Sequence, residues 1–188
     1  MRVVAFDPGF NIGFAALGGG KPAASGSHLL RGGPRQMGVA GRHCDQIVRE
    51  IILRERPDVV AFASPHVAMV NMKTPKGMVR KPINPDSIRG LMGFMTVIEI
   101  VCCELRLRCI EISESDARQA LLGKVPRRTK EIKLAIMAAC KQRGWPVSTN
   151  HAADALCIAA RALEILGESG RAHEVTPIFS AAIEGAGQ

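Results

Sequence analysis

Aromatic residues are scarce in this chain, which contains no tyrosine, one tryptophan and 4% aromatic residues in all. Recognition of single-stranded nucleic acid by stacking depends on aromatic rings along the binding surface. The composition therefore argues against extensive base stacking. Any binding of nucleic acid would depend on charge and shape instead.

Long apolar runs and paired cysteine motifs are also absent. No apolar run is long enough to span a bilayer, and the stretch after Met1-Arg2 ends at Asp7, too early for a signal peptide. The six cysteines include no Cys-x-x-Cys pair, and most have apolar neighbours. We therefore expect reduced core thiols in a cytoplasmic protein, with no disulfide or zinc framework and no membrane partner. The phosphate-loop pattern is missing too, so no small-molecule cofactor is expected.

Positive charge exceeds negative charge. Lysine and arginine number 25 against 17 aspartates and glutamates, which gives a formal net charge of +8. This excess favours an anionic partner, nucleic acid before a membrane surface, and the alternative is a solvated, unspecialised surface. Two basic clusters are predicted to contact DNA phosphates: Lys73, Lys76, Arg80, Lys81 and Arg89, and then Lys124, Arg127, Arg128, Lys130 and Lys133.

The order of the predicted elements indicates a mixed α/β fold. Apolar patterns predict strands at 2–7, 11–17, 24–30, 59–63 and 108–112 and helices at 35–55, 87–105, 113–122, 129–143 and 151–167. Three strands in succession favour an antiparallel meander, and the later alternation adds parallel strands, so we expect a mixed sheet flanked by helices. One domain is expected over 1–170, with a loosely ordered tail at 171–188. Residues 65–85 lack apolar periodicity, which predicts an irregular segment.

One carboxylate stands at the end of the first predicted strand. Side chains alternate along a strand, so Asp7 is the last residue on its face, and Pro8-Gly9 then turns the chain away. Open α/β sheets bind ligands at the carboxyl ends of their strands. Ala63 holds the same terminal position in the strand at 59–63, and it belongs beside Asp7 if the two strands are neighbours.

A pair of polar residues lies at the start of the last predicted helix. His151 and Asp154 are three positions apart and therefore share one helix face. Carboxylates suit magnesium or manganese, and an imidazole is tolerated, more readily by manganese. Together with Asp7 they suggest a divalent-metal site for phosphodiester chemistry. The simpler alternatives are a turn aspartate, a helix-start carboxylate and an exposed histidine.

The chain resembles the RuvC-like Holliday junction resolvases of the ribonuclease H-like superfamily. The resemblance runs from Val3 to about Leu166, and its insert and basicity look closest to bacteriophage-type members. Its carriers are Asp7-Pro8-Gly9, Gly13, Ala61-Phe62, Arg118-Gln119 with Gly123, and His151-Ala152-Ala153-Asp154-Ala155-Leu156.

The resemblance implies a homodimeric nuclease that nicks four-way and other branched DNA junctions by two-metal-ion hydrolysis. The implied ligands are Asp7, His151 and Asp154, which would hold two Mg²⁺ or Mn²⁺ ions per site. Lys130 matches a basic residue near the scissile phosphate, and Arg118 matches another basic position that would contact a DNA phosphate. The apolar helix at 87–105 is either deeply buried or part of a dimer interface, and the resemblance favours the interface.

Ala63 departs from the family pattern, because the resemblance implies a glutamate at that strand end. Neither alanine nor the neighbouring Ser64 can supply an anionic ligand. The resemblance therefore implies a chain that is inactive or weakened as written. Either a glutamate has been replaced at this position, or the protein is a natural variant without it.

Two other functions stay open at this point. One is a non-catalytic protein that binds branched DNA with the same fold, which Ala63 supports directly. The other is a ribonuclease H-like nuclease that acts on flaps or on RNA-containing duplexes.

Overall fold

The computed structural model describes residues 1–64, 69–74, 77–82 and 85–167, and for 69–74, 77–82 and 85 it describes the course of the backbone. The tail expected at 171–188 lies outside the described residues. Among the helices that are described, none is both long and apolar enough to cross a membrane.

A five-stranded mixed sheet forms the centre of the fold. Its strands are β1 (Arg2–Asp7), β2 (Asn11–Gly18), β3 (Ala24–Leu29), β4 (Val59–Ala63) and β7 (Arg108–Ile112), in the spatial order β3-β2-β1-β4-β7. The first three strands form the predicted antiparallel meander, while β4 runs parallel to both β1 and β7. The predicted fold class, a mixed sheet flanked by helices, is confirmed.

In the described part of the chain, five helices cover the two faces of this sheet. They are α1 (Met37–Glu55, after a short 3₁₀ turn at Pro34–Gln36), α2 (Pro85–Glu104), α3 (Glu114–Leu122), α4 (Thr129–Gln142) and α5 (Asn150–Gly167). Because strand side chains alternate, Val4 and Phe6 of β1 pack with α1 and α2, whereas Val3 and Ala5 pack with α3, α4 and α5. The sheet is thus buried between two separate apolar layers.

Side-chain caps set the start of the two helices that border the site. Ser113 accepts a hydrogen bond from the Asp116 backbone and begins α3, while Thr149 accepts one from the Ala152 backbone (3.1 Å) at the start of α5. At the start of α4, Arg128 occupies the cap position and its side chain makes no capping hydrogen bond.

The prediction of an irregular segment at 65–85 is wrong for most of its length. Strands β5 (Met69–Thr74) and β6 (Gly77–Pro82) pair antiparallel as a second, two-stranded sheet, with Thr74 opposite Gly77. Backbone hydrogen bonds between the strands organise this segment instead of an alternating apolar pattern. The absence of apolar periodicity therefore did not reveal the hairpin.

A glycine allows α5 to approach the sheet. Gly13 of β2 pairs with Asp7 of β1, and a methyl group at Gly13 would lie only 2.1 Å from the carbonyl oxygen of His151. No side chain fits in that space, so the first turn of α5 lies directly against β2 beside the end of β1. This contact brings the last helix to the first strand.

We predict that Gly13→Ala destabilises the protein by roughly 1–3 kcal/mol, because the added methyl group must displace the α5 backbone from β2. Chemical denaturation measures the change in the free energy of unfolding. Gly41→Ala is the matched control, since a methyl group at Gly41 in α1 meets no atom within 4 Å. The control is expected to be neutral or more stable by about 0.5–1 kcal/mol. Equal stability of the Gly13 variant and the parent chain would contradict the close approach.

Candidate active site

The carboxyl ends of β1 and β4 form the floor of the site. The two strands are parallel neighbours with Phe6 opposite Phe62, so the next pair in this register is Asp7 with Ala63. The conditional prediction that Ala63 belongs beside Asp7 is therefore confirmed by the strand order. Ala63 is only 6% exposed and lies in the apolar layer beneath α5. The sheet thus brings one carboxylate, not two, to this edge.

His151 contacts Asp7 directly, although 144 positions separate them in the chain. Its Nδ1 donates a hydrogen bond of 3.0 Å to Asp7 Oδ2, which leaves the lone pair of the neutral ring on Nε2. The hydrogen bond to Asp7 raises the pKa of His151 above its ordinary value, although partial burial acts in the opposite direction. The charges of Asp7 and Asp154 raise this pKa further.

Asp154 is the buried carboxylate of the site, with 8% exposure. Burial raises its pKa above the ordinary value, and the negative charge of Asp7 adds to this effect. A guanidinium opposes both, because Arg118 Nη2 lies 3.2 Å from Asp154 Oδ1. The first turn of α5 therefore presents an imidazole paired with one carboxylate and a second carboxylate paired with an arginine.

Arg118 is held by two acidic partners. Besides Asp154, its Nη2 donates to Glu114 Oε1, one helical turn earlier on α3. The sequence prediction placed Arg118 near a DNA phosphate but did not anticipate either partner. The i, i+4 spacing of Glu114 and Arg118 was the available signal for the first contact. The contact with Asp154 joins two helices, and nothing in the local sequence indicates it.

Lys133 of α4 adds positive charge to the surroundings of the site. Its positive charge lowers the pKa of both His151 and Asp154, and its side chain is half-buried. Lys130, the residue singled out from the sequence, is exposed in the first turn of the same helix. The two lysines are three positions apart, so a helical-face argument could have included both.

The predicted DNA-binding residues belong to two groups of elements. Lys124, Arg127, Arg128 and Lys130 are all exposed between the end of α3 and the start of α4. Arg89 is exposed near the start of α2. Lys73 belongs to β5 and Arg80 and Lys81 belong to β6, whereas Lys76 lies outside the described residues.

The donor set fits a divalent cation in its chemistry but is not assembled for one. Asp7, Asp154 and His151 supply two carboxylates and an imidazole, which suit Mn²⁺ or Mg²⁺. Yet across residues 1–64 and 85–167 no three acidic, histidine or cysteine side chains are arranged to hold an ion. His151 and Arg118 already occupy oxygens of the two carboxylates. Ala63, at the end of the neighbouring strand β4, supplies no further ligand.

Comparison with known proteins supports the fold and leaves the chemistry to be argued from the site. Neither the protein-family models nor the curated proteins compared with this chain match it. Among solved structures it is similar to T. thermophilus RuvC in complex with Holliday junction substrate, with a TM-score of 0.65 and 18% identity, over 92% of this chain and 99% of that one. Another Thermus thermophilus RuvC structure has a TM-score of 0.63, with the same identity and coverage.

A more distant similarity is to Ydc2, the yeast mitochondrial Holliday junction resolvase. Its TM-score is 0.45 at 10% identity, over 84% of this chain and 77% of that one. The two RuvC structures carry the conclusion, since each aligns over nearly its whole length. The chain has the RuvC fold, the ribonuclease H-like mixed sheet that its sequence predicted.

Proposed function

We propose that this chain binds branched DNA junctions as a homodimer and carries a weakened, divalent-metal-dependent phosphodiester cleavage site. One observation carries the proposal. Asp7 and the His151/Asp154 pair come from opposite ends of the chain and meet at the carboxyl edge of β1, within a fold shared with a RuvC structure that holds a junction substrate.

Exposed cations near this edge support binding of a phosphate backbone. Arg127 and Arg128 immediately precede α4, and the charge of Lys133 in the same helix lowers the pKa of Asp154. A duplex arm held by the two arginines would therefore pass the site. Phosphate contacts of this kind provide affinity without sequence information. The scarcity of aromatic residues fits recognition by shape.

An apolar stripe on α2 supports the homodimer. Met92 and Ile100 are 46% and 38% exposed and lie on one face of the helix, with the exposed Thr96 between them. The opposite face of α2, with Phe94 and Ile98, is fully buried against the sheet. A second copy of the chain covering this stripe would place two sites on one assembly, which suits a junction with approximate two-fold symmetry.

The residues of the site divide the work as follows. Asp7, Asp154 and the Nε2 lone pair of His151 would hold the ion, Asp7 also orients the imidazole, and Arg118 and Lys130 would neutralise the phosphate. When bound, the ion supplies a Lewis acid and lowers the pKa of a water molecule. A carboxylate at position 63 would add negative charge where the site now has a methyl group.

A second candidate function is supported by the same observations. Ala63 and the Arg118–Asp154 pair both reduce the capacity of the site for a cation, which favours a protein that binds branched DNA without cutting it. Cleavage of flaps or of RNA-containing duplexes is a third candidate, and a panel of substrates separates it from the first.

We predict that the chain binds an immobile four-way junction at least about tenfold more tightly than a linear duplex of equal length in EDTA, because its arginines follow the geometry of the backbone. Fluorescence anisotropy at several salt concentrations measures both affinities. The Arg127→Gln/Arg128→Gln variant should weaken binding and reduce the salt slope by about two. Lys141→Gln, at the far end of α4, is the control and should bind like the parent. Equal affinity for junction and duplex would refute junction binding.

For cleavage, we expect the chain as written to cut a labelled junction poorly or not at all with Mg²⁺ or Mn²⁺. Ala63→Glu should raise the rate by about a hundredfold or more, because it restores a carboxylate beside Asp7 and strengthens the metal site. Ala63→Gln is the matched control, with the same size and no charge, and should stay inactive. A normal cleavage rate in the unmodified chain would show that position 63 does not limit the chemistry. Forks, flaps and RNA–DNA hybrids tested in parallel define the substrate.

The Asp7–His151 contact predicts a titration that can be measured without metal. In the folded, metal-free protein the pKa of His151 should lie above its ordinary value of about 6.5, because Asp7 stabilises the imidazolium. The pair therefore stabilises the fold fully below that value and loses this contribution as pH rises through the folded-state pKa. NMR titration of the imidazole tests this. Asp7→Asn should lower the pKa, whereas Asp58→Asn, just before β4 and in contact with Arg2 at the start of β1, should not. Equal titrations in both variants would refute the pairing.

A further inference from the structure

The guanidinium of Arg118 already neutralises the buried carboxylate of Asp154. Its Nη2 lies 3.2 Å from Asp154 Oδ1, and the two side chains are 20% and 10% exposed. Its Nε is buried and has no hydrogen-bond partner in the described part of the chain. Both acidic contacts of the guanidinium are made by Nη2, which donates to Asp154 and to Glu114.

The second acidic partner lies on the same helix as the arginine. Glu114 accepts from Arg118 across one turn of α3, whereas Asp154 belongs to α5. A guanidinium that moves away from Asp154 can thus stay paired with Glu114 and keep a negatively charged partner. The Arg118–Glu114 contact within α3 therefore lowers the free-energy cost of breaking the Arg118–Asp154 contact with α5.

A guanidinium and a divalent ion compete for the same carboxylate. Two cations close together repel one another, and a lone pair of Asp154 that accepts from Arg118 is not free for an ion. With Ala63 in the adjacent strand, no further carboxylate is available there to offset the repulsion.

We propose that Arg118 is a resident counter-cation of Asp154, a positioning residue that competes with the divalent ion and keeps this site weak for metal. The inference rests on the proposed metal site, and it adds that the site is protected by a protein cation as well as weakened by Ala63. Ion binding then displaces the guanidinium toward Glu114, and removal of Arg118 opens the site to metal.

The test measures Mn²⁺ alone, by electron paramagnetic resonance of free and bound ion, with the full chain. Arg118→Gln should bind Mn²⁺ about tenfold more tightly than the parent, since one competing charge is removed at contact distance. Arg118→Lys keeps the charge and should stay close to the parent. Lys133→Gln removes a positive charge that acts on Asp154 without a hydrogen bond to it, so its gain should be about threefold or less.

A second measurement uses the metal-free protein. Because Arg118→Gln leaves Asp154 buried without its counter-charge, the melting temperature in EDTA should fall by several degrees. In the Asp154→Asn background the same substitution should change the melting temperature far less, which isolates the direct pair. A merely structural role predicts the loss of stability together with weaker metal binding. Competition predicts the loss of stability together with tighter metal binding.

Unchanged or weaker Mn²⁺ binding by Arg118→Gln would overturn the inference, as would an equal gain in Lys133→Gln. These outcomes differ from failure of the proposed function, which would appear as equal binding of junction and duplex DNA by the parent chain. A chain that selects junctions but shows no gain in Mn²⁺ affinity on loss of Arg118 would retain its proposed function and lose this inference.

Discussion

The contact between the first turn of α5 and the end of β2 is the constraint on which the site depends. Gly13 lies beneath the carbonyl of His151, and its strand partner is Asp7. The absence of a side chain at this one position lets the last helix lie against the first hairpin. The 3.0 Å hydrogen bond between His151 and Asp7 requires that approach. A methyl group between the two elements would push the first turn of α5 away from β2 and disturb the contact between the carboxylate and the imidazole.

Electrostatic balance explains why both carboxylates of the site are paired with positive or polarisable partners. Two carboxylates lie near one another in a partly buried place, which is costly unless each finds a positive partner. Asp7 finds His151 and Asp154 finds Arg118, while Lys133 adds positive charge at longer range. These pairings make the site stable without an ion. Under the proposed function, the Arg118–Asp154 pair would oppose binding of an ion, so stability without metal and affinity for metal would be in conflict at Asp154.

Much of the framework could be predicted because local patterns encode it. The strands, the parity of Asp7 and Ala63, and the caps Ser113 and Thr149 all follow from short-range periodicity and turn chemistry. The β5–β6 hairpin was missed, since backbone pairing can form without an alternating apolar pattern. The assignment of Lys130 came from a motif match and stays a prediction, whereas the electrostatic effect of Lys133 on His151 and Asp154 follows from the packing of α4 against α5.

The sequence by itself determined which chemical groups the chain can bring to a site and at which ends of which elements they stand. It determined the single carboxylate of β1, the methyl group of Ala63 and the shared face of His151 and Asp154. Only the tertiary structure decided which charges pair, because the Arg118–Asp154 contact joins helices 36 positions apart and depends on how α3 packs against α5. The periodicity of apolar residues indicates which face of a segment is buried. Contacts between segments depend instead on how the elements pack in the complete fold.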